Sequence, residues 1–348
     1  MDPKQIADEL RAIEGRAPCT DAERRAARAI ARHLRALGRR PRTQTVWVRP
    51  GNELLLALAS ALGVAASVVS VDHADTGLWM AVGAVALLAA APLLGARRAT
   101  QWVHATKGSD PNVVPTNGSD PNVVRLLLTC RADAQPAPLA ERVCARIGLP
   151  GPRVLLAFAL GAIVAFAAVR SGGTGGTALG AGQLVPTALS IALVGGFLDT
   201  WVARPGDAAA GPAAALAVLA ALDRSPPQQL AAEVLVAGPG SMRSFVREQR
   251  RAGTQATDVA IVELREGSPG FVRSDGSLLP QRLHPRMVAL MRGAVPARRG
   301  RSRSPASVAR AARWPAIVLE GGVDDLVELT LGLVAALDRE LAERQVAA

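Results

Sequence analysis

Apolar residues follow two spacings along this chain, and the two spacings alternate. Short apolar or alternating runs, typical of strands, occur in TQTVWVRP, TQWVHAT, RLLLT, AAEVLVAG, DVAIVEL and WPAIVLEGG. Most are followed by stretches with helical spacing, such as SMRSFVREQRRAG and the long amphipathic segment from Val323 to Arg344. Strands that alternate with helices predict an α/β fold. We expect a three-layer sandwich around a mostly parallel mixed sheet.

Four long stretches break this pattern because they contain almost no charge. They occupy residues 54–71, 78–96, 154–169 and 178–198. Each is near the length of about 20 residues that a helix needs to cross a bilayer. The sequence therefore predicts two transmembrane hairpins, at residues 54–96 and 154–200. The alternative interpretation is four buried core helices. A mean hydropathy of +0.21, high for a soluble protein, favours the membrane.

Arginine marks the outer flanks of both hairpins. The flanking residues are Arg42, Arg49, Arg97, Arg98, Arg146, Arg153 and Arg204. The first turn, DHADTG, has no basic residue, and the second has only Arg170. Because basic flanks stay in the cytoplasm, both hairpins should enter and leave on that side of the inner (plasma) membrane. Residues 1–50, 97–150 and 204–348 then form one cytoplasmic domain, and both termini are cytoplasmic.

The order of these soluble elements resembles the di-zinc aminopeptidase family, which includes bacterial leucyl aminopeptidase, aminopeptidase S and the glutaminyl cyclases. GRAPCTDAERRAARAIARHLRALG is similar to the opening helices of that family. LLLTCRAD matches its strand ending in His-x-Asp, with Arg131 in place of the histidine and Asp133 retained. GDAAAGPAAALAVLAAL matches the segment that carries the bridging aspartate, and keeps Asp207 and Gly211.

The resemblance also shows where this chain departs from the family. AEVLVAGPGSMRSF lacks the family's Glu pair, and Gly238 begins a shortened loop there. Glu263 is the one available substitute for the third metal carboxylate. No histidine lies between WPAIVLEGG and the final helix, where the family has its last histidine, and none of the chain's four histidines is placed as a ligand. Zinc catalysis requires converging imidazoles and carboxylates with a general base nearby.

The resemblance therefore implies a domain that has lost its metal site, binds no cofactor and has a binding or scaffold role. Its ligand would be a peptide or another protein. The alternative is an active membrane metallopeptidase whose altered zinc site uses Asp133, Asp207 and Glu263. A transporter or channel component is a third possibility, but the sequence reveals no polar path through the four apolar stretches.

Asp133 and Asp207 are two acids at strand ends, and they would repel each other in a desolvated pocket. Arg131 is permanently charged and can bind a carboxylate through two N–H groups. We hypothesise that Arg131 replaces the lost cation and pairs with Asp133 and Asp207. The alternative is that Arg131 simply points to solvent.

The chain carries a formal net charge of +11, and its densest basic stretch is VPARRGRSRSPASVARAARW, at residues 295–314. No aromatic residues are interleaved there for base stacking, so we expect no nucleic-acid partner. Contact with anionic lipid headgroups fits the predicted topology, and a solvated loop is the simpler alternative. The lipid bilayer is the expected partner.

Overall fold

The computed structural model describes residues 2–49, 52–107, 123–133, 139–147, 149–173, 176–202, 208–275, 281–300 and 304–346. Its contacts divide the chain into two units. The first contains residues 1–48, 98–135 and 205–348, and the second contains residues 49–97 and 136–204.

The first unit alternates strands and helices. In chain order its elements are α1 (Pro3–Arg11), α2 (Asp21–Ala36), β1 (Arg40–Val48), β2 (Arg98–Thr106), β3 (Val124–Cys130), α8 (Ala210–Arg224), β4 (Leu230–Val236), α9 (Pro239–Arg251), β5 (Val259–Glu266), β6 (Gly270–Asp275), β7 (Gln281–Arg282), α10 (Pro285–Leu290), β8 (Ala297–Arg299), α11 (Pro305–Ala311), β9 (Ala316–Gly321) and α12 (Val323–Val346). The second unit contains α3 (Glu53–Asp72), α4 (Ala74–Leu94), α5 (Leu139–Ile147), α6 (Pro152–Ser171) and α7 (Thr177–Val202).

The strands form a nine-stranded sheet in the order β1-β2-β4-β3-β5-β9-β6-β7, with β8 paired to β6. The central strands β4, β3, β5 and β9 are parallel, as is the β6–β8 pair. The remaining pairings are antiparallel, namely β1–β2, β2–β4, β6–β7 and β6–β9. The predicted mixed sheet is confirmed, but "mostly parallel" is wrong for its outer strands. Antiparallel neighbours need only a short connection, whereas parallel neighbours need a crossover.

Successive residues of the central strands point to opposite faces of the sheet, and each face has its own core. On β3, Leu126 and Leu128 join a cluster formed with α1, α2, α8 and α12. Leu127 joins a second cluster that includes Phe245 of α9 and Ala309 of α11. Burial on both faces explains the continuous apolar run of β3, since neither face of the strand meets water.

A charged group is enclosed in the second cluster. Glu233 of β4, 5% exposed, accepts hydrogen bonds from Arg125 Nε at 2.9 Å and Nη2 at 2.8 Å. It lies 2.8 Å from His104 Nε2 on β2, and Arg125 Nη1 also donates to Gln249 of α9 at 2.9 Å. Burial alone would raise the pKa of Glu233, but these hydrogen bonds and charges lower it to about 2. The group ties three strands and one helix together.

Four helices of the second unit are long and apolar enough to cross a membrane, at 20, 21, 20 and 22 residues. A polar seam joins α3 to α7. Ser60 Oγ donates to the Ser190 carbonyl at 2.9 Å, and Ser67 Oγ shares a hydrogen bond of 2.6 Å with Thr187. Gln183 Nε2 donates to the Ser67 carbonyl at 2.7 Å. This seam could not be predicted from the sequence, because its members are uncharged and dispersed. Interhelical bonds of this kind hold transmembrane helices together.

Candidate functional site

Arg131 and Asp133 form an ion pair just beyond the carboxyl end of β3. Arg131 Nε donates to Asp133 Oδ1 at 3.0 Å, and its Nη2 donates to Oδ2. Asp133 is 2% exposed, while the Arg131 side chain is 29% exposed. Burial alone would lower the pKa of Arg131, but Asp133 and the neighbouring acids raise it. The guanidinium therefore covers a buried carboxylate in the two-pronged geometry typical of strong arginine pairs.

Glu23 is a second buried acid beside this pair, and the sequence analysis did not include it in the site. It is 4% exposed and accepts hydrogen bonds from Thr100 Oγ1 at 2.8 Å and the Cys19 amide at 2.5 Å. Burial raises the pKa of Glu23 to about 7; the Thr100 bond opposes this, and the charge of Asp133 adds to it. The charge of Arg131 acts in the opposite direction and lowers the pKa of Glu23.

One signal in the sequence could have revealed Glu23. The buried face of α2 includes Ala26, Ala27, Ile30 and Leu34. Glu23 lies three residues before Ala26 and four before Ala27, so it is on the same face of the helix. An acid on the apolar face of an amphipathic helix is an anomaly, and buried acids usually have specific partners.

The end of β4 offers no carboxylate to the pair. A Cβ atom placed on Gly238 would lie 3.6 Å from Asp133 Oδ1, so the β4 end closely approaches the ion pair. The Arg16 guanidinium also lies close by, and its Nη1 donates to the Ala132 carbonyl at 3.4 Å. Arg16 is 3% exposed. The surroundings of Asp133 thus contain two guanidinium groups.

Glu263 on β5 is buried, at 2% exposure, and its carboxylate is already hydrogen-bonded. It accepts a hydrogen bond from the Ala306 amide at 2.8 Å. Burial raises the pKa of Glu263, and Arg265 opposes the shift. The charge of Glu263 also raises the pKa of Arg131. Glu263 therefore lies near the ion pair but fixes the start of α11.

The structure brings together Arg131, Asp133 and Glu263 of the four residues predicted for this site. Asp207 lies outside the described residues, so its predicted contact with Arg131 stays a prediction. Within the described ranges, no cluster of three histidine, cysteine or acidic side chains has the arrangement of a metal site. The described residues do not fit a zinc ion, because a permanent cation is bonded to Asp133 and Glu263 is occupied by α11.

Comparison with known proteins establishes the fold. The glutaminyl cyclase of Fimbriiglobus ruber has a similar structure, with a TM-score of 0.50, 12% identity and coverage of 97% of this chain and 95% of that one. This chain has the fold of that glutaminyl cyclase. A putative zinc-dependent exopeptidase from Bacteroides vulgatus matches at 10% identity, a TM-score of 0.47 and coverage of 96% and 92%. A zinc aminopeptidase from Bacillus subtilis matches at 10% identity, a TM-score of 0.47 and coverage of 97% and 94%.

No family profile and no curated protein matches the sequence. The fold shared with this glutaminyl cyclase confirms the resemblance noted from the motifs. At identities of 12% and below, the agreement concerns the fold and does not extend to an activity. The chemistry of this chain therefore has to be argued from its own residues.

The raised pKa of Glu23 predicts a pH-dependent effect of Glu23→Gln. The ordinary pKa is 4.5 and the folded-state pKa is about 7. Between these values the unfolded chain has released a proton that the folded protein retains, so stability falls as pH rises. Above pH 7 this costs about 3 kcal/mol. The uncharged amide avoids the cost and still accepts from Cys19, so the variant should melt several degrees higher near pH 8 and unchanged near pH 4.

The melting temperature of purified protein at the two pH values measures this effect. Glu14→Gln serves as the control because Glu14 is exposed on the preceding loop. A shift of equal size at both pH values would contradict the electrostatic explanation, since packing effects do not depend on the protonation of Glu23.

Proposed function

We propose that this chain is an integral membrane protein. Its aminopeptidase-like unit has a binding or scaffold role and does not hydrolyse peptides. The observation that carries the proposal is the Arg131–Asp133 ion pair at the strand end where the related fold would place a metal ligand. A ligand for such a unit would be a peptide or a protein, recognised by the former substrate pocket.

The electrostatics of the pair explain why an arginine suits this position. Two acids, Glu23 and Asp133, are almost completely buried there, and a nearby positive charge offsets the repulsion between them. Arg131 supplies this charge without a metal. The same guanidinium repels a divalent cation and occupies the carboxylate that would bind it. We include Asp207 in this pocket as a further partner of Arg131, on sequence grounds alone.

The membrane part of the proposal rests on the four apolar helices and on the path of the chain. Val48 and Arg98 are paired residues of β1 and β2, and the first hairpin lies between them in sequence. A chain that leaves and returns at adjacent residues crosses a membrane an even number of times. With the arginine flanks, this supports two crossings per hairpin, an inner-membrane location and a cytoplasmic aminopeptidase-like unit with both termini on that side.

Metal analysis of the purified full-length protein, together with aminopeptidase and glutaminyl cyclase assays, tests the non-hydrolytic role. We expect no stoichiometric zinc and no turnover, including after incubation with added zinc. Stoichiometric zinc with turnover that is lost in Asp133→Ala would instead establish the alternative, a metallopeptidase that uses Asp133, Asp207 and Glu263. Turnover unaffected by Asp133→Ala would indicate a contaminating enzyme, which a repeat purification would remove.

A further inference from the structure

One segment of the aminopeptidase-like unit carries most of the excess positive charge of the chain. Residues 270–314 contain ten arginines and a single acid, Asp275. The arginines are Arg273, Arg282, Arg286, Arg292, Arg298, Arg299, Arg301, Arg303, Arg310 and Arg313. The net charge of the whole chain is +11, so the excess charge is concentrated in one stretch of the sequence.

Four of these arginines lie on β6, β7 and β8, where the sheet ends. Arg273, Arg282, Arg298 and Arg299 are all exposed, and together we call them the arginine edge. Arg282 and Arg299 are both register partners of Ser274, one on each side of β6. Register partners have Cβ atoms about 5 Å apart. Two like charges therefore flank one serine within about a Debye length of each other.

The acids among the described residues do not neutralise the arginine edge. Asp275 is 0% exposed and faces inward. Arg286 is the one arginine of the segment with a described carboxylate partner, Glu340 at 2.6 Å. Over the described parts of the chain, no ion pair joins a carboxylate to the arginine edge. Its charge is directed to solvent and remains available to an anionic surface.

We propose that the arginine edge binds the anionic phospholipid headgroups of the membrane into which the chain is inserted. The proposal rests on the membrane insertion described under the proposed function. Covalent attachment to membrane-spanning helices holds the edge at a high effective concentration of lipid. Arginines near an anionic leaflet each strengthen the interaction about fivefold, and the contribution falls off with salt.

Nucleic acid is the competing anionic partner, and the aromatic residues of the segment argue against it. Single-stranded nucleic acid is held by base stacking on exposed aromatic side chains. The two aromatic residues between positions 270 and 314 are Phe271 and Trp314, and each is 1% exposed. The edge thus provides charge without a stacking surface, which suits headgroup phosphates.

Hydrogen exchange of the full-length protein in lipid nanodiscs tests the proposal. Discs of phosphatidylcholine alone are compared with discs that contain about 30 mol% phosphatidylglycerol. In the anionic discs, amides of β6 and β8 should exchange at least about fivefold more slowly at about 50 mM salt, and the difference should vanish near 500 mM. Replacing three residues as Arg282→Gln, Arg298→Gln and Arg299→Gln should weaken the interaction about 100-fold and abolish the difference.

The matched control removes the same charge from α2 through Arg25→Gln, Arg28→Gln and Arg35→Gln, all at exposed positions. This variant should keep the protection of β6 and β8, and loss of protection in it would overturn a specific role for the arginine edge. Equal exchange in both discs would overturn the inference alone, because entry into the discs already supports membrane insertion. A chain that stays outside the discs would contradict the proposed function as well.

The nucleic-acid alternative is tested with the same samples. Wild-type protein in phosphatidylcholine discs is titrated with a labelled single-stranded oligonucleotide and with a duplex. We expect no binding that depends on Arg282, Arg298 and Arg299. Binding that the triple glutamine variant abolishes would overturn the lipid assignment in favour of nucleic acid.

Discussion

Replacing Glu233 with alanine is expected to lower the free energy of unfolding by about 3–5 kcal/mol, the cost of breaking a buried ion pair by removing one partner. The side chain accepts two bonds from Arg125 and contacts His104, and all three side chains are largely buried. Without Glu233 the Arg125 guanidinium keeps only its Gln249 bond inside an apolar cluster. A fall in melting temperature of the purified protein, by well over 5 °C, is the expected measurement.

Two comparisons isolate the electrostatic cause. Glu328→Ala removes an exposed glutamate from α12 and should change stability by less than about 0.5 kcal/mol. The double replacement Arg125→Met with Glu233→Leu removes both charges and keeps the volume, so it should recover most of the loss. A double variant as unstable as Glu233→Ala would show that the hydrogen-bond geometry, not the stranded charge, determines the effect.

The same group predicts acid sensitivity. The pKa of Glu233 is lowered to about 2 from the ordinary 4.5, so its stabilising contribution is complete above pH 4.5 and is lost as pH falls through 2. The shift corresponds to about 3 kcal/mol, which agrees with the loss expected from Glu233→Ala.

Replacing Arg131 with methionine is expected to cost about 3 kcal/mol, because Asp133 would remain buried without its guanidinium and next to Glu23. Adding Asp133→Asn to this variant removes the stranded charge and should restore much of the melting temperature. Asp133→Asn alone should be milder than Arg131→Met, since Arg131 is 29% exposed and its charge can be solvated.

Arg24→Met provides the matched comparison for this experiment. Arg24 also pairs with an aspartate, Asp21 at 2.8 Å, but both side chains are exposed. Surface pairs contribute about 0–1 kcal/mol, so this variant should melt close to wild type. An Arg131→Met protein that melts like Arg24→Met would refute a structural role for the Arg131–Asp133 pair and weaken the argument that it has replaced a metal.

Local patterns were sufficient to predict most of the fold, because each central strand is a run buried on both faces. The runs RLLLT, DVAIVEL and WPAIVLEGG became β3, β5 and β9 in the predicted order. The direction of the outer strands was mispredicted. Pairing direction depends on which strands become neighbours, and β2 joins β4 although β3 lies between them in sequence.

The candidate site was only partly predictable for a related reason. Arg131 and Asp133 are two residues apart at the end of one strand, so the sequence pattern brings them together. His104 and Glu233 are 129 residues apart and meet through the pairing of β2 with β4. Nothing in the spacing of the sequence joins them. Glu23 was detectable in principle, from its position on the apolar face of α2.

The pairing of Val48 with Arg98 has a consequence for biogenesis. The β1–β2 ribbon attaches to the rest of the sheet through β4, which begins at Leu230, after both apolar hairpins have left the ribosome. Under the proposed membrane insertion, the translocon handles all four apolar helices before β4, β5 and β9 of the sheet have been synthesised. A hairpin that fails to integrate would keep the β1–β2 ribbon from docking onto β4. We therefore expect cellular proteases to degrade such a chain as a misfolded protein.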